Sequence, residues 1–241
     1  MADDCFAHPR LAAVYDPLHS DRADLDAYLG MAEEFGARRV LDIGCGTGVF
    51  ALLLAGRGIE VVGVDPARAS LDVARAKPGG GRVRWIHGDA TGLPPLCADL
   101  ATMTGNVAQA ITDPHVWRET LRGVREALRP GGRLVFETRD PARRGWQEWT
   151  REDSCHVAEV PGVGTVEYRV ELTEVRGPLV TFRQSYAFAA DGQVLTSDST
   201  VRFRERAEVE RDLLAHGYEL EEVRDAPDRP GREFVFVARR P

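Results

Sequence analysis

The sequence predicts an α/β fold with a parallel sheet covered by helices on both faces, and three observations carry that reading. Between about Arg39 and Thr138, short apolar segments alternate with amphipathic helical ones, the pattern of βαβ units. A glycine-rich turn, Gly44 to Gly48, follows the first of those strands and marks the ligand side of the sheet. After about Trp146 the apolar period drops to two, which predicts an antiparallel meander set into the α/β unit.

The first element is a helix from about Asp24 to Phe35. Leu25, Tyr28, Leu29, Ala32 and Phe35 share one face, and Asp21 or Asp24 can cap it. Arg39 to Gly44 reads as a buried strand entering the glycine turn, and Val49 to Arg57 as the helix leaving it. A second strand, Glu60 to Asp65, and a second helix, Ala67 to Ala76, follow; Lys77-Pro78-Gly79-Gly80-Gly81 stops that helix. Val83 to His87 and Ala98 to Met103 are the third and fourth strands. Trp117, Leu121, Val124 and Leu128 stripe a helix from Pro114 to Leu128, which Arg129-Pro130-Gly131-Gly132 ends before a fifth strand, Arg133 to Thr138.

In the second region, Val166, Tyr168, Val170 and Leu172 alternate with polar residues, as do Val180, Phe182, Tyr186 and Phe188. Val194 to Phe203 gives a weaker third strand, with turn signals at Gly177-Pro178 and Asp191-Gly192. A helix over Arg206 to His216 and two strands, Tyr218 to Arg224 and Glu233 to Arg239, then complete the first unit. The expected organisation is an α/β domain made of residues 1–145 and 206–241, interrupted by a three-stranded antiparallel insertion, residues 146–205.

Composition excludes several classes. Among 241 residues, 31 basic and 38 acidic side chains give a net charge of −7, against the basic surface that nucleic acid requires. One of the 31 basic residues is lysine, Lys77, which we read as an effect of genome composition. Cys5, Cys45, Cys97 and Cys155 have no metal-ligand spacing, so reduced thiols and no metal are expected. The longest apolar stretch, Val49 to Ala55, is too short to cross a bilayer. The acidic start, Met-Ala-Asp-Asp-Cys, lacks the apolar core of a secretory signal, so a cytoplasmic location is expected.

Val40-Leu41-Asp42-Ile43-Gly44-Cys45-Gly46-Thr47-Gly48 is the most informative segment. A buried strand delivers the chain to a turn whose glycines let a ligand approach the backbone, and the next helix starts there with free amides. A dinucleotide, a phosphate or another nucleoside could sit on such a turn. Val49 occupies the third-glycine position of the dinucleotide fingerprint, and the absence of Gly-Lys-Ser/Thr excludes a P-loop.

Asp-x-Gly-x-Gly-x-Gly after an apolar strand resembles motif I of the class I S-adenosylmethionine-dependent methyltransferases. Three further segments match in order: Val61-Val62-Gly63-Val64-Asp65, Gly88-Asp89-Ala90, and Arg129-Pro130-Gly131-Gly132-Arg133-Leu134. The resemblance is specific from about Val40 to Thr138. It implies a Rossmann-like seven-stranded methyltransferase sheet, order 3-2-1-4-5-7-6 with the last strand antiparallel, and S-adenosyl-L-methionine as cofactor with S-adenosyl-L-homocysteine as product.

The cofactor residues that the resemblance implies are Tyr15, Asp42, Gly44, Cys45, Gly46, Gly48, Asp65, Pro66, Gly88, Asp89, Ala90, Thr104, Gly105 and Asn106. Asp42 would balance the cationic amino acid end, Asp65 would accept the ribose hydroxyls, and Asp89 with the Ala90 amide would meet the adenine. Capping of the following turn is the structural alternative for Asp42 and Asp65, and a plain turn residue before Ala90 is the alternative for Asp89. Tyr15 is either a lid residue over the cofactor or a tyrosine packed on the sheet edge. Thr104-Gly105-Asn106 departs from the Asn/Asp-Pro-Pro-Tyr/Phe pattern of enzymes acting on planar nitrogens, and the acidic cluster of the metal-dependent catechol-type enzymes is missing.

Acceptor-side residues are open at this level. Glu137, Arg139 and Asp140 leave the fifth strand where such sheets bind ligands, or form a salt-bridge cluster. His156, in the loop before the meander, is a candidate general base or a solvated histidine. Arg183 and Tyr186 sit on the meander, on faces the pattern does not orient. Trp146 and Trp149 wall an acceptor pocket or anchor the insertion.

The expected function is methyl transfer to an oxygen, nitrogen or carbon of a small molecule by in-line displacement (EC 2.1.1.-), in a monomer or homodimer without nucleic-acid or membrane partners. The alternatives are a methyltransferase acting on protein or RNA, a nicotinamide-dependent oxidoreductase, and a cofactor-binding partner subunit that has lost catalysis.

Overall fold

The computed structural model describes residues 2–241. Two short helices open the chain, α1 (Asp4–Ala7) and α2 (Pro9–Leu18), followed by α3 (Asp24–Glu34). The alternating region contains β1 (Arg39–Ile43), α4 (Val49–Gly56), β2 (Glu60–Asp65), α5 (Arg68–Ala76), β3 (Val83–His87), β4 (Ala98–Met103), α6 (Val107–Ala110), α7 (Pro114–Ala127) and β5 (Leu128–Arg139). β6 (His156–Val160), β7 (Gly164–Arg176), β8 (Leu179–Phe188) and β9 (Val194–Arg202) come next. α8 (Arg206–Ala215), β10 (Glu219–Asp225) and β11 (Glu233–Arg239) finish the chain.

The large sheet has seven strands in the order β10-β11-β5-β4-β1-β2-β3. β3, β2, β1, β4 and β5 run parallel, β11 is antiparallel to β5, and β10 is antiparallel to β11. This is the expected 3-2-1-4-5-7-6 topology. The strand order reverses between β1 and β4, and their carboxyl ends open the crevice where such sheets bind ligands.

Alternation along the central strands builds two cores. Leu41, Ile43, Ala101, Met103, Leu134 and Phe136 pack with Trp117, Leu121 and Val124 of α7 and with Val209 and Leu213 of α8. Val40, Leu100 and Val135 face the other way, against Leu25, Tyr28 and Leu29 of α3 and Phe50 and Leu54 of α4. Asp42 is an exception on β1: a carboxyl at a buried position, between Gly63 of β2 and Thr102 of β4.

The structure corrects four expectations. The chain folds before Asp24: Tyr15 lies inside α2, whose Leu11, Val14 and Leu18 pack on Val160, Val166, Tyr186 and Phe188 of the antiparallel sheet. That sheet has four strands, not three, in the order β6-β7-β8-β9. His156 is therefore the first residue of an edge strand and not part of a loop; it pairs with Tyr168. Arg129-Pro130-Gly131-Gly132 lies within β5, because the Gly131 amide bonds the Arg240 carbonyl and the Arg240 amide bonds the Gly132 carbonyl.

The two faces of the four-stranded sheet are now distinguished. Arg183 is exposed and forms a paired hydrogen bond with Asp198 across to β9, at 2.7 and 2.8 Å. Tyr186, three residues on, is buried against the N-terminal helices. Trp146 packs edge-on against Phe203, and Trp149 against Phe182, with centroids 4.5 and 4.8 Å apart. Both tryptophans thus anchor the segment leading into the small sheet.

Candidate functional site

The glycine turn is held from two sides. The amides of Gly44 and Cys45 donate to the Val64 carbonyl of β2, and the Gly48 amide closes back on the Cys45 carbonyl. Gly44, Gly46 and Gly48 all have positive φ, at 66°, 51° and 79°. Space separates their roles. A Cβ at Gly44 would lie 2.5 Å from Val107, and one at Gly48 would lie 2.5 Å from Trp85, so these two are required by packing inside the protein. A Cβ at Gly46 would meet nothing within 4 Å, because that flank faces open space above the turn. Gly46 is the point where a ligand can lie against bare backbone.

Three carboxyls stand at or just past the carboxyl ends of β1, β2 and β3. Asp42 is fully buried; its Oδ1 accepts from Thr102 Oγ1 at 3.1 Å, and its Oδ2 has no partner. Burial, with no cation in contact, pushes its carboxyl up to about 7. Asp65, at the end of β2, accepts from the Gly46 amide at 2.8 Å and from the Ala67 amide at 2.7 Å. Burial raises its pKa as well, against the lowering effect of those two amides. Asp89 is exposed and accepts from the Thr91 amide at 2.9 Å. The capping that the sequence left open for Asp42 and Asp65 is thus made at Asp65 and not at Asp42, and Asp89 sits in the turn before Ala90 bonded to Thr91.

The end of β4 forms the adjoining wall. Gly105 and Asn106 are both left-handed, at φ 73° and 63°. Glu137 on β5 fixes this bend: one oxygen accepts from the Asn106 amide and the other from the Tyr28 hydroxyl, the latter at 2.5 Å. Glu137 is buried, and burial lifts its carboxyl to about 7. Asn106 Oδ1 and Thr138 Oγ1 are buried without partners beside it. Arg139 donates to Gln109 Oε1 at 3.1 Å and lies 3.7 Å from Glu233, which Arg229 also pairs at 2.8 Å. The salt-bridge alternative for the end of β5 is realised at Arg139, while Glu137 holds neutral donors.

A cavity of about 580 Å³ opens beyond this wall. Arg139, Trp149, Asp153, Asp228, Arg229 and Glu233 are among its lining residues. Its volume is in the range of small-ligand pockets. Trp149 is therefore both an anchor and a cavity wall. His156 is exposed on the edge strand and is not gathered with the carboxyls.

α2 carries Tyr15, which the sequence singled out, and brings Asp16 and His19 in with it. Asp16 accepts from the Thr47 hydroxyl in the glycine turn at 2.6 Å. Tyr15 is half-buried beside it and stacks on His19 at 4.5 Å, and His19 meets Tyr168 of the small sheet edge-on at 5.4 Å. Burial lowers the His19 pKa and pushes the Tyr15 hydroxyl up to about 12. Pro9 and Pro17 hid the helix that positions all three.

The methyltransferase domain family matches residues 40–132, from β1 into the start of β5. The chain is 36% identical over 124 residues to the cypemycin N-terminal methyltransferase of a Streptomyces species, covering 51% of each protein. The chain spans about half the length of the curated relatives it matches. Among solved structures, it superposes on a sugar N-methyltransferase from a Streptoalloteichus species with a TM-score of 0.77 at 21% identity, covering 94% of this chain and 90% of the other. An S-adenosylmethionine-dependent methyltransferase from Clostridium acetobutylicum gives 0.75 at 18% identity, over 95% and 97%. These two likenesses concern the fold. Over residues 40–132 the chain is thus similar to methyltransferase domains, and its glycine turn and 3-2-1-4-5-7-6 sheet have the arrangement expected from that likeness.

Proposed function

We propose that this protein transfers a methyl group from S-adenosyl-L-methionine to a small-molecule acceptor. One observation carries the reading: the open flank at Gly46 and the unpartnered, buried Asp42 Oδ2 fall four residues apart in one strand–turn segment, which matches the methyltransferase domain. A cationic ligand lying on that turn would supply what this carboxyl lacks.

The residues fit the cofactor. Gly44, Cys45, Gly46 and Gly48 form the cradle, and Asp42 receives the cationic amino acid end. Asp65 uses one lone pair of each oxygen on the Gly46 and Ala67 amides and retains the others for the ribose hydroxyls. Pro66, Gly88, Asp89 and Ala90 border the adenine side at the ends of β2 and β3, and Thr104, Gly105 and Asn106 border the methyl side. Tyr15 on α2 covers the opening. When bound, the cofactor supplies an activated methyl group on a sulfonium.

The chain's part in catalysis is then mainly geometric. Glu137 and the two left-handed residues fix the wall at the end of β4, so the nucleophile and the methyl carbon can be held in line. α2 and the four-stranded sheet exclude water from the crevice. The acceptor enters from the cavity bounded by Arg139, Trp149 and Glu233, and Asn106 links it to the cofactor side through Glu233, 3.5 Å from its amide nitrogen. We extend the reading to residues 146–205 as an acceptor-covering unit inserted in the cofactor domain, residues 1–145 and 206–241.

The test is calorimetry with S-adenosylmethionine and S-adenosylhomocysteine, using NAD and NADP as controls, followed by a methylation screen of small-molecule acceptors. Micromolar binding of the adenosyl ligands alone, on the order of −8 kcal/mol, is expected. Binding of NAD instead, or of neither, refutes the cofactor reading.

A further inference from the structure

Of the chain's 31 basic residues one is a lysine, and the fold places it at the glycine turn. Lys77 caps the end of α5. Its Nζ donates to the Thr47 carbonyl at 2.7 Å and pairs with Asp16 Oδ2. The other oxygen of Asp16 accepts from the Thr47 hydroxyl at 2.6 Å. Asp16, Thr47 and Lys77 thus close a ring that joins α2, the turn between Gly46 and Gly48, and the end of α5.

An ammonium suits this place better than a guanidinium. It is a compact charge that reaches two acceptors from a single nitrogen, whereas Arg presents its donors in a wider planar fork. A chain that uses Arg at every other basic position keeps Lys where both partners converge on one point.

Among the described residues, the ring is the polar tie between the N-terminal helices and the turn. Their other polar ties lead elsewhere: the Phe6 carbonyl accepts from Ser70 on α5, the Cys5 amide donates to Ser197 on β9, and Arg10 pairs with Asp191 beyond β8. Opening the Asp16 tie would free α2, with Tyr15 beside Asp16, from the glycine turn.

We propose that Lys77 is a positioning residue that latches α2 over the cofactor site, so that the ligand enters and leaves only when the Lys77–Asp16 pair opens. This rests on the methyltransferase reading, but the lysine can be interrogated without turnover. As the lone lysine it is also a specific chemical reporter, with about a quarter of its side chain exposed (23%).

In the wild-type protein, saturating S-adenosylhomocysteine should slow acetylation of Lys77 by an amine-reactive ester about 10-fold or more, with the α-amino group as internal control. K77M and D16N should each speed S-adenosylhomocysteine dissociation about 10-fold, and the double variant should be no faster than either single one, the mark of a coupled pair. K77R should fall between wild type and K77M. Ligand binding that leaves Lys77 reactivity unchanged, or dissociation from K77M at the wild-type rate, overturns the latch. A K77R variant equal to wild type overturns the argument for an ammonium. If the wild-type protein binds no adenosyl ligand, the cofactor reading fails. The latch itself is then judged by acetylation of Lys77 in the free protein, which D16N should accelerate if the pair exists and leave unchanged if it does not.

Discussion

Glu137→Gln tests the electrostatics of the site wall without removing its shape. Glu137 is buried on β5 between the Asn106 amide and the Tyr28 hydroxyl, with Glu233 and Arg139 nearby. Burial lifts it from an ordinary value of 4.5 to about 7. At about 1.4 kcal/mol per pH unit, that difference is worth about 3 kcal/mol. The folded state binds this proton more tightly than the unfolded chain does. The group's stabilising contribution is therefore complete below about pH 4.5 and is lost as pH rises to about 7. Glutamine mimics the protonated acid and cannot ionise. Its carbonyl can still accept from Asn106, and the Tyr28 hydroxyl can turn to accept from its amide. Urea unfolding of both proteins at pH 5, 6, 7 and 8 isolates the effect, because a fixed packing penalty shifts the variant equally at every pH. The stability of E137Q relative to wild type should rise by about 2–3 kcal/mol from pH 5 to pH 8. A difference that stays flat would mean that Glu137 is not held protonated by its surroundings.

The remaining predictions concern the ligand side. Asp42 titrates at about 7 in the free protein, and a bound cation would lower that value. Binding of S-adenosylhomocysteine near pH 6.5 should therefore release protons and tighten as pH rises through 7. Equal binding enthalpies in two buffers of different ionisation heat would refute it, and D42N should abolish the release. Asp65→Ala should weaken binding by about 1–3 kcal/mol through loss of a charged acceptor, and unchanged affinity in calorimetry removes the ribose assignment. Gly46→Val puts a side chain into the open flank and should abolish binding while the fold is retained. Gly48→Ala instead meets Trp85 at 2.5 Å and Ala74 at 2.9 Å, and should lower stability by about 1–3 kcal/mol in denaturant unfolding. Retained binding in G46V would undo the reading of the turn.

What the sequence makes legible is local. The parallel strands are apolar runs separated by helices of fitting length, and the carboxyls at Asp42 and Asp65 sit at fixed offsets from glycines. The features that escaped depend on distant partners. α2 is punctuated by Pro9 and Pro17, and its apolar residues pack on a sheet more than 140 residues away in the chain, so it has no periodic signal of a core helix. β6 is a short edge strand with one buried residue, Val160, and reads as a loop. The partners of Glu137, Tyr28 and Asn106, are 109 and 31 residues away. No spacing rule joins them. Lys77 was visible as a compositional oddity, but its meaning required the coordinates of Asp16 and Thr47.

The carboxyls also show why a choice between capping and ligand binding is the wrong one to pose. A carboxylate has about four lone-pair sites. Asp65 spends two on the amides of Gly46 and Ala67, and each of those bonds fixes the orientation of the group that would face the ribose. Glu137 does the same one layer back, through the bend at Asn106. A site built this way is rigid before the ligand arrives, so binding energy is not spent on ordering side chains. Asp42 is the exception, with Thr102 as its one hydrogen-bond partner and one oxygen left bare. Its position makes it costly to ionise alone and favourable to ionise against a cation. In the free protein below about pH 7 a proton fills that role. With a cationic ligand on the turn, the proton leaves and the charge it masked becomes the contact. The discrimination between a cationic cofactor and a neutral nucleoside would thus arise from a carboxyl that the fold leaves incompletely satisfied.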